Sequence, residues 1–130
     1  MTKKILIVED DKMLCAIFEM FIMQLNYELI GISHTGKEAI ELCKVNQPDV
    51  ILMDIHLEGD LNGIETSKQI QELYDIPVIF VTSDIEESTI RSAIYKSTYG
   101  FLMKPIYKSS LGVTVEFALS KHKFDRENNS

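Results

Sequence analysis

The sequence has few of the residues that mark disulfide-rich, fibrous or low-complexity proteins. It contains two cysteines, three prolines and six glycines in 130 residues. With so little proline and glycine, no fibrous or low-complexity class fits. Cys15 and Cys43 both fall within helical patterns and lack metal-ligand spacing. We therefore interpret them as reduced core residues and expect a cytoplasmic protein.

Basic residues and long hydrophobic runs are also scarce. Thirteen lysines and arginines face twenty acids, which gives a net charge of −7. This balance repels phosphate backbones and anionic lipid, so we predict no direct binding to nucleic acid or membrane. The longest mostly apolar stretch, Met13 to Met23, is interrupted by Glu19 and is shorter than the roughly 20 residues of a membrane span. The apolar run before Glu9 is too short for a secretory signal.

What the sequence does have is a regular alternation of strand-like and helix-like segments. Hydrophobic residues make up 45% and charged residues 25%, as in soluble globular proteins. We predict one domain over residues 1–122 and a polar tail, or the start of a linker, over 123–130. The predicted strands are 5–8, 28–33, 50–53, 77–81 and 101–103, and the predicted helices are 12–25, 35–46, 64–74, 86–96 and 109–122. This order predicts an α/β fold with right-handed crossovers and a parallel sheet covered on both faces.

Chemically active side chains follow four of the five predicted strands. In an open parallel sheet, ligands bind outside the carboxyl ends of the strands, so these residues converge if their strands are neighbours. They are Glu9, Asp10 and Asp11 after the first strand, Asp54 after the third, Thr82 and Ser83 after the fourth, and Lys104 with Pro105 after the fifth.

A cluster of carboxylates with one lysine predicts a cation site. The carboxylates repel one another unless a cation neutralises them or some are protonated. Oxygen ligands completed by water and phosphate favour Mg²⁺, with Mn²⁺ as an alternative. A carboxylate beside such an ion can attack a phosphoryl group and form an acyl phosphate. Lys104 and the Thr82 hydroxyl would then stabilise charge on the phosphoryl oxygens.

At these residues the chain resembles the receiver domain of two-component response regulators. The resemblance spans residues 3 to about 120 and rests on four motifs in family order, which are Ile-Leu-Ile-Val-Glu-Asp-Asp at 5–11, Leu-Met-Asp-Ile-His-Leu at 52–57, Val-Ile-Phe-Val-Thr-Ser at 78–83 and Gly-Phe-Leu-Met-Lys-Pro at 100–105. It implies a doubly wound (βα)5 three-layer sandwich of flavodoxin-like type, with strand order 2-1-3-4-5. It also implies a signalling phosphoacceptor of a phosphorelay, rather than a turnover enzyme, that is phosphorylated, switches conformation and dephosphorylates itself.

The resemblance assigns roles to the strand-end residues. Asp54 corresponds to the phosphoacceptor, and Asp10 to a direct ligand of Mg²⁺. Glu9 would act on the ion through water, and the backbone carbonyl of His56 would complete the protein ligands.

Three further residues take switch or structural roles by the same resemblance. Thr82 corresponds to the hydroxyl that moves toward the phosphoryl group, Lys104 to its ionic partner, and Phe101 to an aromatic residue that rotates inward afterwards. The Lys104–Pro105 peptide bond corresponds to a cis bond in the family.

The resemblance also implies the partners. A sensor histidine kinase or a histidine phosphotransfer domain would dock on Met13, Leu14, Ile17 and Ile106. Burial alone explains the apolar residues of the first helix equally well, and the sequence leaves both explanations open. A homodimer through helix 4, strand 5 and helix 5 is implied as well, with Phe117 as an interface candidate.

The sequence departs from the family pattern at three places. The loop between Asp54 and Gly63 is one residue longer than the commonest form and lacks its usual proline, so we expect a reshaped loop with Gly59 at the turn. His56 replaces a small or polar residue and could contact the phosphoryl group. Phe101 has no hydroxyl, so switching there must proceed by packing.

Other interpretations remain at this point. A haloacid-dehalogenase-like phosphatase also uses an aspartate nucleophile and Mg²⁺, but needs an acid where His56 stands. A flavodoxin-like cofactor module needs a phosphate-binding loop where the chain has three acids. A pseudo-receiver, which acts only by binding partners, would lack some of the acids, the hydroxyl or the lysine, whereas this chain has all of them. Asp11 is also suited to cap the first helix. The sequence leaves open whether the chain acts alone or belongs to a larger protein.

Overall fold

The fold was obtained as a computed structural model that describes residues 2–83 and 86–128. Strands and helices alternate along the whole of this range. In chain order they are β1 (Lys4–Val8), α1 (Lys12–Gln24), β2 (Glu28–Ser33), α2 (Gly36–Val45), β3 (Val50–Asp54), α3 (Gly63–Leu73), β4 (Val78–Thr82), α4 (Glu87–Ala93), β5 (Thr98–Met103) and α5 (Lys108–Asn128).

The five strands form one parallel sheet in the order β2-β1-β3-β4-β5. The chain starts at an inner strand, moves outward to β2, and then crosses to β3 on the other side of β1. The strand order therefore reverses between β1 and β3, which is where ligands bind in doubly wound sheets. The predicted α/β fold and strand order are confirmed.

The sheet is buried on both faces because its central strands carry continuous apolar runs at 5–8, 50–53 and 78–81. Neighbouring residues of a strand point to opposite faces. Ile5 and Ile7 of β1 pack with residues of α1 and α5. Leu6 and Val8 pack on the other side with residues of α2 and α3. This double burial explains why β1, β3 and β4 are continuous apolar runs rather than alternating ones.

Side-chain caps fix the starts of the two helices that follow the acidic strand ends. The carboxylate of Asp11 accepts hydrogen bonds from the amides of Met13 and Leu14, so its predicted capping role is confirmed. Asn62 and Glu65 form a reciprocal capping box at the start of α3. These caps hold α1 and α3 in position beside the carboxyl edge of the sheet.

The last helix is longer than predicted. We expected it to end at His122, but it continues to Asn128, and residues 129 and 130 lie outside the described range. Tertiary contacts hold the added turns: His122 is buried with its Nε2 3.0 Å from Oδ1 of Asp75, and the Tyr99 hydroxyl donates to Asp125 at 2.6 Å. The polar tail that we predicted over 123–130 is therefore helical up to Asn128, whereas the domain boundary at 122 stays a prediction.

Two other boundaries differ from prediction by three residues. The strand β5 begins at Thr98 rather than Phe101, and α4 ends at Ala93 rather than Lys96. The hydroxyl of Thr98 donates to the carbonyl of Ala93 and ends the helix there. Over the parts of the chain that the structure describes, no helix combines the length and apolar character needed to cross a membrane.

Candidate functional site

Three carboxylates meet at the carboxyl edge of the sheet. Glu9 and Asp10 follow β1, and Asp54 ends β3, which pairs with β1. One oxygen from each lies within 4.8 Å of the others. Glu9 and Asp54 are buried, and Asp10 is half-buried. The predicted convergence of these acids is therefore observed, and their oxygens could hold a divalent cation.

Lys104 places its ammonium against this cluster. Its Nζ lies 3.4 Å from Oε1 of Glu9 and 3.7 Å from Oδ1 of Asp54. Its backbone amide donates to the carbonyl of Thr82 at 2.9 Å, which joins the ends of β4 and β5. The Lys104–Pro105 peptide bond is cis, as the resemblance implied. Thr82 is fully buried at the end of β4.

The cluster carries more negative charge than its surroundings neutralise. Burial, together with the Asp54 carboxylate, raises the pKa of Glu9 from 4.5 to about 7, even though the amide of Asp11 and the ammonium of Lys104 act to lower it. Among the described residues, no group forms a hydrogen bond with the buried Oε1 of Glu9. A hard cation would satisfy this oxygen and offset the repulsion, so the donor set fits Mg²⁺.

Backbone amides of the loop after β3 also hold the carboxylates. The amide of His56 donates to Oδ1 of Asp54, and the amide of Glu58 donates to Oδ2 of Asp10, both at 3.1 Å. Gly59 has a φ of +107°, so its predicted place at the turn is confirmed. The role of the Glu58 amide was not predicted, because backbone donors leave no mark in a side-chain pattern.

Gly63 is a second residue of the site that the sequence interpretation missed. Its amide donates to the carbonyl of Ile55 at 2.9 Å. A Cβ at this position would lie 1.9 Å from the carbonyl oxygen of Asp54. The start of α3 therefore packs directly on the backbone of Asp54, and only glycine allows this approach. The Asn62–Gly63 pair ahead of a helix pattern was the available signal.

The two histidines near the site differ in their contacts. We predicted no role for His34, yet its Nδ1 lies 2.9 Å from the carbonyl oxygen of Glu9. His34 directly follows β2, at the same edge of the sheet, which was the available signal. His56 is exposed and its amide contacts Asp54. The assignment of its carbonyl to a metal stays a prediction.

The switch and docking residues lie around this edge. Phe101 is half-buried, and its ring stacks on that of Phe80 with centroids 5.8 Å apart. On α1, Met13 is 76% exposed, Ile17 is 36% exposed and Leu14 is half-buried. Ile106 is 9% exposed and belongs to the core cluster that includes residues of α5, and its docking role stays a prediction.

Comparison with known families shows which family of proteins has this arrangement of side chains. The profile of the response regulator receiver domain matches residues 5–116. The chain belongs to this family. A receiver domain is a signalling phosphoacceptor of two-component systems, with a histidine kinase or phosphotransfer partner and generally without enzymatic turnover. The phosphatase and cofactor-module interpretations are set aside by this match.

Curated relatives of this receiver domain are transcriptional or regulatory proteins. The transcriptional regulatory protein YdfI of Bacillus subtilis is 33% identical over 93 residues, which cover 72% of this chain and 43% of YdfI. PdtaR of Mycobacterium tuberculosis is 25% identical over 119 residues, 92% of this chain and 58% of PdtaR. LuxO of Vibrio vulnificus is 33% identical over 88% of this chain and 25% of its own length. The chain thus spans between a quarter and three fifths of these relatives.

Solved receiver domains share the fold over nearly the whole chain. The signal receiver domain of a modulated diguanylate cyclase from Desulfovibrio desulfuricans G20 has a TM-score of 0.90 and 31% identity, covering 96% of this chain and 99% of that one. The N-terminal domain of a response regulator/sensory box/GGDEF protein from Carboxydothermus hydrogenoformans has a TM-score of 0.86 and 33% identity, covering 95% and 98%.

Proposed function

We propose that this receiver domain takes a phosphoryl group from the phosphohistidine of a kinase or phosphotransfer domain onto Asp54. A carboxylate oxygen of Asp54 attacks phosphorus, the phosphorus–nitrogen bond breaks, and the imidazole leaves with the bonding electrons. Hydrolysis of the acyl phosphate then returns the carboxylate, so the domain acts as its own phosphatase without being a turnover enzyme.

The observation that carries this proposal is the position of Lys104 against the carboxylates. Its ammonium lies 3.7 Å from Oδ1 of Asp54 and 3.4 Å from Oε1 of Glu9. A phosphoryl group on Asp54 would bring negative oxygens into this edge of the sheet. Lys104 would pair with one of them, and the nearby Thr82 hydroxyl would donate to another.

Mg²⁺ would be held by Asp10 and Asp54 directly, by Glu9 through water and by the backbone carbonyl of His56, with Mn²⁺ as a substitute. When bound, the ion would neutralise the carboxylates and the phosphoryl oxygens. The buried Oε1 of Glu9, which lacks a hydrogen-bond partner among the described residues, supports this assignment.

The switch would follow from the phosphoryl group. Movement of the Thr82 hydroxyl toward it would empty space at the end of β4, and Phe101 would rotate inward to fill this space. Phe101 stacks on Phe80 of β4, which supports a packing route between the two strands. Because Phe101 has no hydroxyl, the change would rest on ring packing alone.

The partners would use different faces. The exposed side chains of Met13 and Ile17, with Leu14, lie on the helix that begins beside Asp10. They would dock a histidine-bearing helix bundle in the cytoplasm, while a homodimer would use the α4, β5 and α5 face. The net charge of −7 on the chain argues against direct contact with nucleic acid.

Label transfer tests the proposal. The chain is incubated with radiolabelled acetyl phosphate and Mg²⁺, and the protein-bound label is measured. The expected result is acid-stable, base-labile label that Asp54→Asn abolishes and that EDTA prevents. Asp60→Asn, in the exposed loop after β3, is the matched control and should retain label. Label that persists on Asp54→Asn would overturn the assignment.

A further inference from the structure

The end of β2 holds the backbone of Glu9 on both sides. The Glu9 amide donates to the carbonyl of Ser33 at 2.9 Å, and the Glu9 carbonyl oxygen lies 2.9 Å from Nδ1 of His34. The first contact continues the parallel pairing of Val8 with Ser33 and needs no particular side chain. The second contact needs the imidazole ring. It is therefore the part of this arrangement that depends on the residue type at position 34.

The Glu9 carbonyl depends on side chains for its hydrogen bonds. β1 ends at Val8, and over the described residues no backbone amide donates to this oxygen. Glu9 is 1% exposed, so water has little access to it, and a buried carbonyl without a donor is unfavourable. Two side chains supply donors, which are Nδ1 of His34 and Sγ of Cys15 at 3.4 Å. Because a thiol is a weak donor, His34 is the main one.

The contact also decides which ring nitrogen of His34 carries a proton. A carbonyl oxygen has no hydrogen to donate, so the proton between the two atoms belongs to Nδ1. A second proton on Nε2 would leave this hydrogen bond in place. His34 can therefore hold the carbonyl in either charge state.

The carbonyl that His34 holds belongs to the peptide unit that joins Glu9 to Asp10. A peptide unit is planar, so the position of its oxygen restricts where the Cα of Asp10 lies. Carboxylate oxygens of Glu9, Asp10 and Asp54 lie within 4.8 Å of one another. A rotation of the peptide unit would move the first two carboxylates relative to the third. His34 thus acts on two of the three acids through the backbone between them.

The backbone of His34 is itself held in position. Ser33, before it, ends β2. Thr35, after it, caps α2 by accepting a hydrogen bond from the amide of Glu38. The imidazole therefore extends toward the end of β1 from a point that a strand and a helix cap both fix.

We propose that His34 is a positioning residue of the Mg²⁺ site. It holds the peptide unit between Glu9 and Asp10 so that both carboxylates stay beside Asp54. Groups that orient metal ligands without binding the metal commonly raise metal affinity. This inference rests on the proposed function, because Mg²⁺ binding is part of it, and it adds a residue from outside the acidic cluster.

Titration with Mg²⁺ tests the role of the Nδ1 donor. His34→Ala removes the donor, so isothermal titration should show an affinity lower by about threefold to tenfold. Asparagine carries its NH2 group one bond from Cγ, as histidine carries Nδ1, so His34→Asn should bring the affinity back to within about twofold of the original chain. Glutamine places this group one carbon farther out, and His34→Gln should bind as weakly as His34→Ala. Equal affinities in all three variants, or unchanged affinity in His34→Ala, would overturn the proposal.

His122→Ala is the matched control for loss of stability. His122 is buried at the opposite edge of the sheet, where its Nε2 lies 3.0 Å from Oδ1 of Asp75. The variant should unfold at a lower urea concentration than the original chain and keep its Mg²⁺ affinity. A loss of Mg²⁺ affinity equal to that of His34→Ala would attribute both effects to stability and count against a positioning role.

Nuclear magnetic resonance tests the contact without metal. The histidine rings are labelled with nitrogen-15 and the chain is kept in EDTA, and couplings between ring protons and nitrogens show which nitrogen carries a proton. The signals of His34 are those absent from His34→Asn. We expect a proton on Nδ1 of His34, and Nδ1 without a proton would rule out the proposed hydrogen bond.

Label uptake on Asp54 is measured on the original chain to separate this inference from the phosphoacceptor proposal. Retained label with unchanged Mg²⁺ affinity in His34→Ala removes only this inference. Lost label with a Mg²⁺ affinity that depends on His34 removes only the phosphoacceptor proposal. Absence of Mg²⁺ binding by the original chain overturns both.

Discussion

The backbone amide of Glu58 donates a hydrogen bond to Oδ2 of Asp10 across 48 residues of sequence. The loop after β3 therefore holds a carboxylate of the acidic cluster through its backbone rather than through a side chain. The neighbouring Gly59 makes this possible, since its φ of +107° lies in a region that residues with a side chain rarely adopt. The turn at Gly59 thus has a structural consequence at the acidic cluster.

Gly59→Ala should weaken Mg²⁺ binding while leaving the fold nearly intact. A Cβ at Gly59 would meet nothing within 4 Å, so the only cost is backbone strain of about 1 kcal/mol. The loop would relieve this strain by moving the Glu58 amide away from Asp10. Isothermal titration with Mg²⁺ should show an affinity lower by about threefold to tenfold.

Glu58→Gln is the matched control for this prediction. It keeps the amide that contacts Asp10 and changes only an exposed side chain. Its Mg²⁺ affinity should stay closer to that of the original chain than the affinity of Gly59→Ala. The reverse order would mean that the Glu58 side chain, rather than the loop backbone, acts at the site.

Gly63→Ala should destabilise the domain strongly. The added Cβ would lie 1.9 Å from the Asp54 carbonyl oxygen and 2.9 Å from the Cα of Ile55, so backbone must move. We expect a loss of about 3 kcal/mol or more in the free energy of unfolding, measured with urea. At Gly31 the nearest atom is the end of the Leu42 side chain at 3.3 Å, so Gly31→Ala is the control and should cost much less. Equal losses would contradict the close approach of α3 to Asp54.

Glu9→Gln should change how stability depends on pH in the absence of metal. Burial raises the pKa of Glu9 from 4.5 to about 7, so the folded chain binds this proton more tightly than the unfolded chain. The stabilisation is complete below about pH 4.5 and is lost as the pH rises through about 7. Glutamine carries no charge and avoids this loss.

The measurement is urea unfolding in EDTA at several pH values. Relative to the original chain, Glu9→Gln should gain on the order of 1–3 kcal/mol between about pH 5 and pH 8. Its Mg²⁺ affinity should fall, because one carboxylate is removed from the cluster. A stability difference that stays constant with pH would show that Glu9 is not the buried proton-binding group.

Much of the fold could be predicted because each apolar strand ends directly before a chemically active side chain. The runs before Glu9 and Asp54 are apolar at every position, which specifies strands buried on both faces and places their acids at one edge. Contacts through backbone atoms were not predictable in the same way. The Glu58 amide and the close approach at Gly63 depend on how the loop and α3 pack, which residue types alone do not encode.

Errors arose where tertiary contacts outweighed the local pattern. The end of α5 is polar, so a tail was expected there, but His122 contacts Asp75 in the loop after α3 and Asp125 accepts a hydrogen bond from Tyr99 of β5. Both deciding partners, Asp75 and Tyr99, are remote in sequence from the end of α5.

Tyr99→Phe should loosen the end of α5 without affecting its start. The variant removes the 2.6 Å hydrogen bond from the Tyr99 hydroxyl to Asp125 and should cost about 1–2 kcal/mol locally. Hydrogen exchange should accelerate over residues 122–128 and stay unchanged over 110–118. Tyr107→Phe, at an exposed tyrosine before α5, is the control. Uniform acceleration along α5 would contradict a local anchor.

The most direct test of the central claim is to identify the residue that carries the phosphoryl group. The chain is phosphorylated with acetyl phosphate and Mg²⁺ and treated with borohydride, which reduces an aspartyl phosphate to homoserine, and its peptides are analysed by mass spectrometry. We expect homoserine at position 54 and unchanged aspartate at positions 10, 11 and 60. Homoserine at another position, or none at position 54 despite bound phosphate, would contradict it.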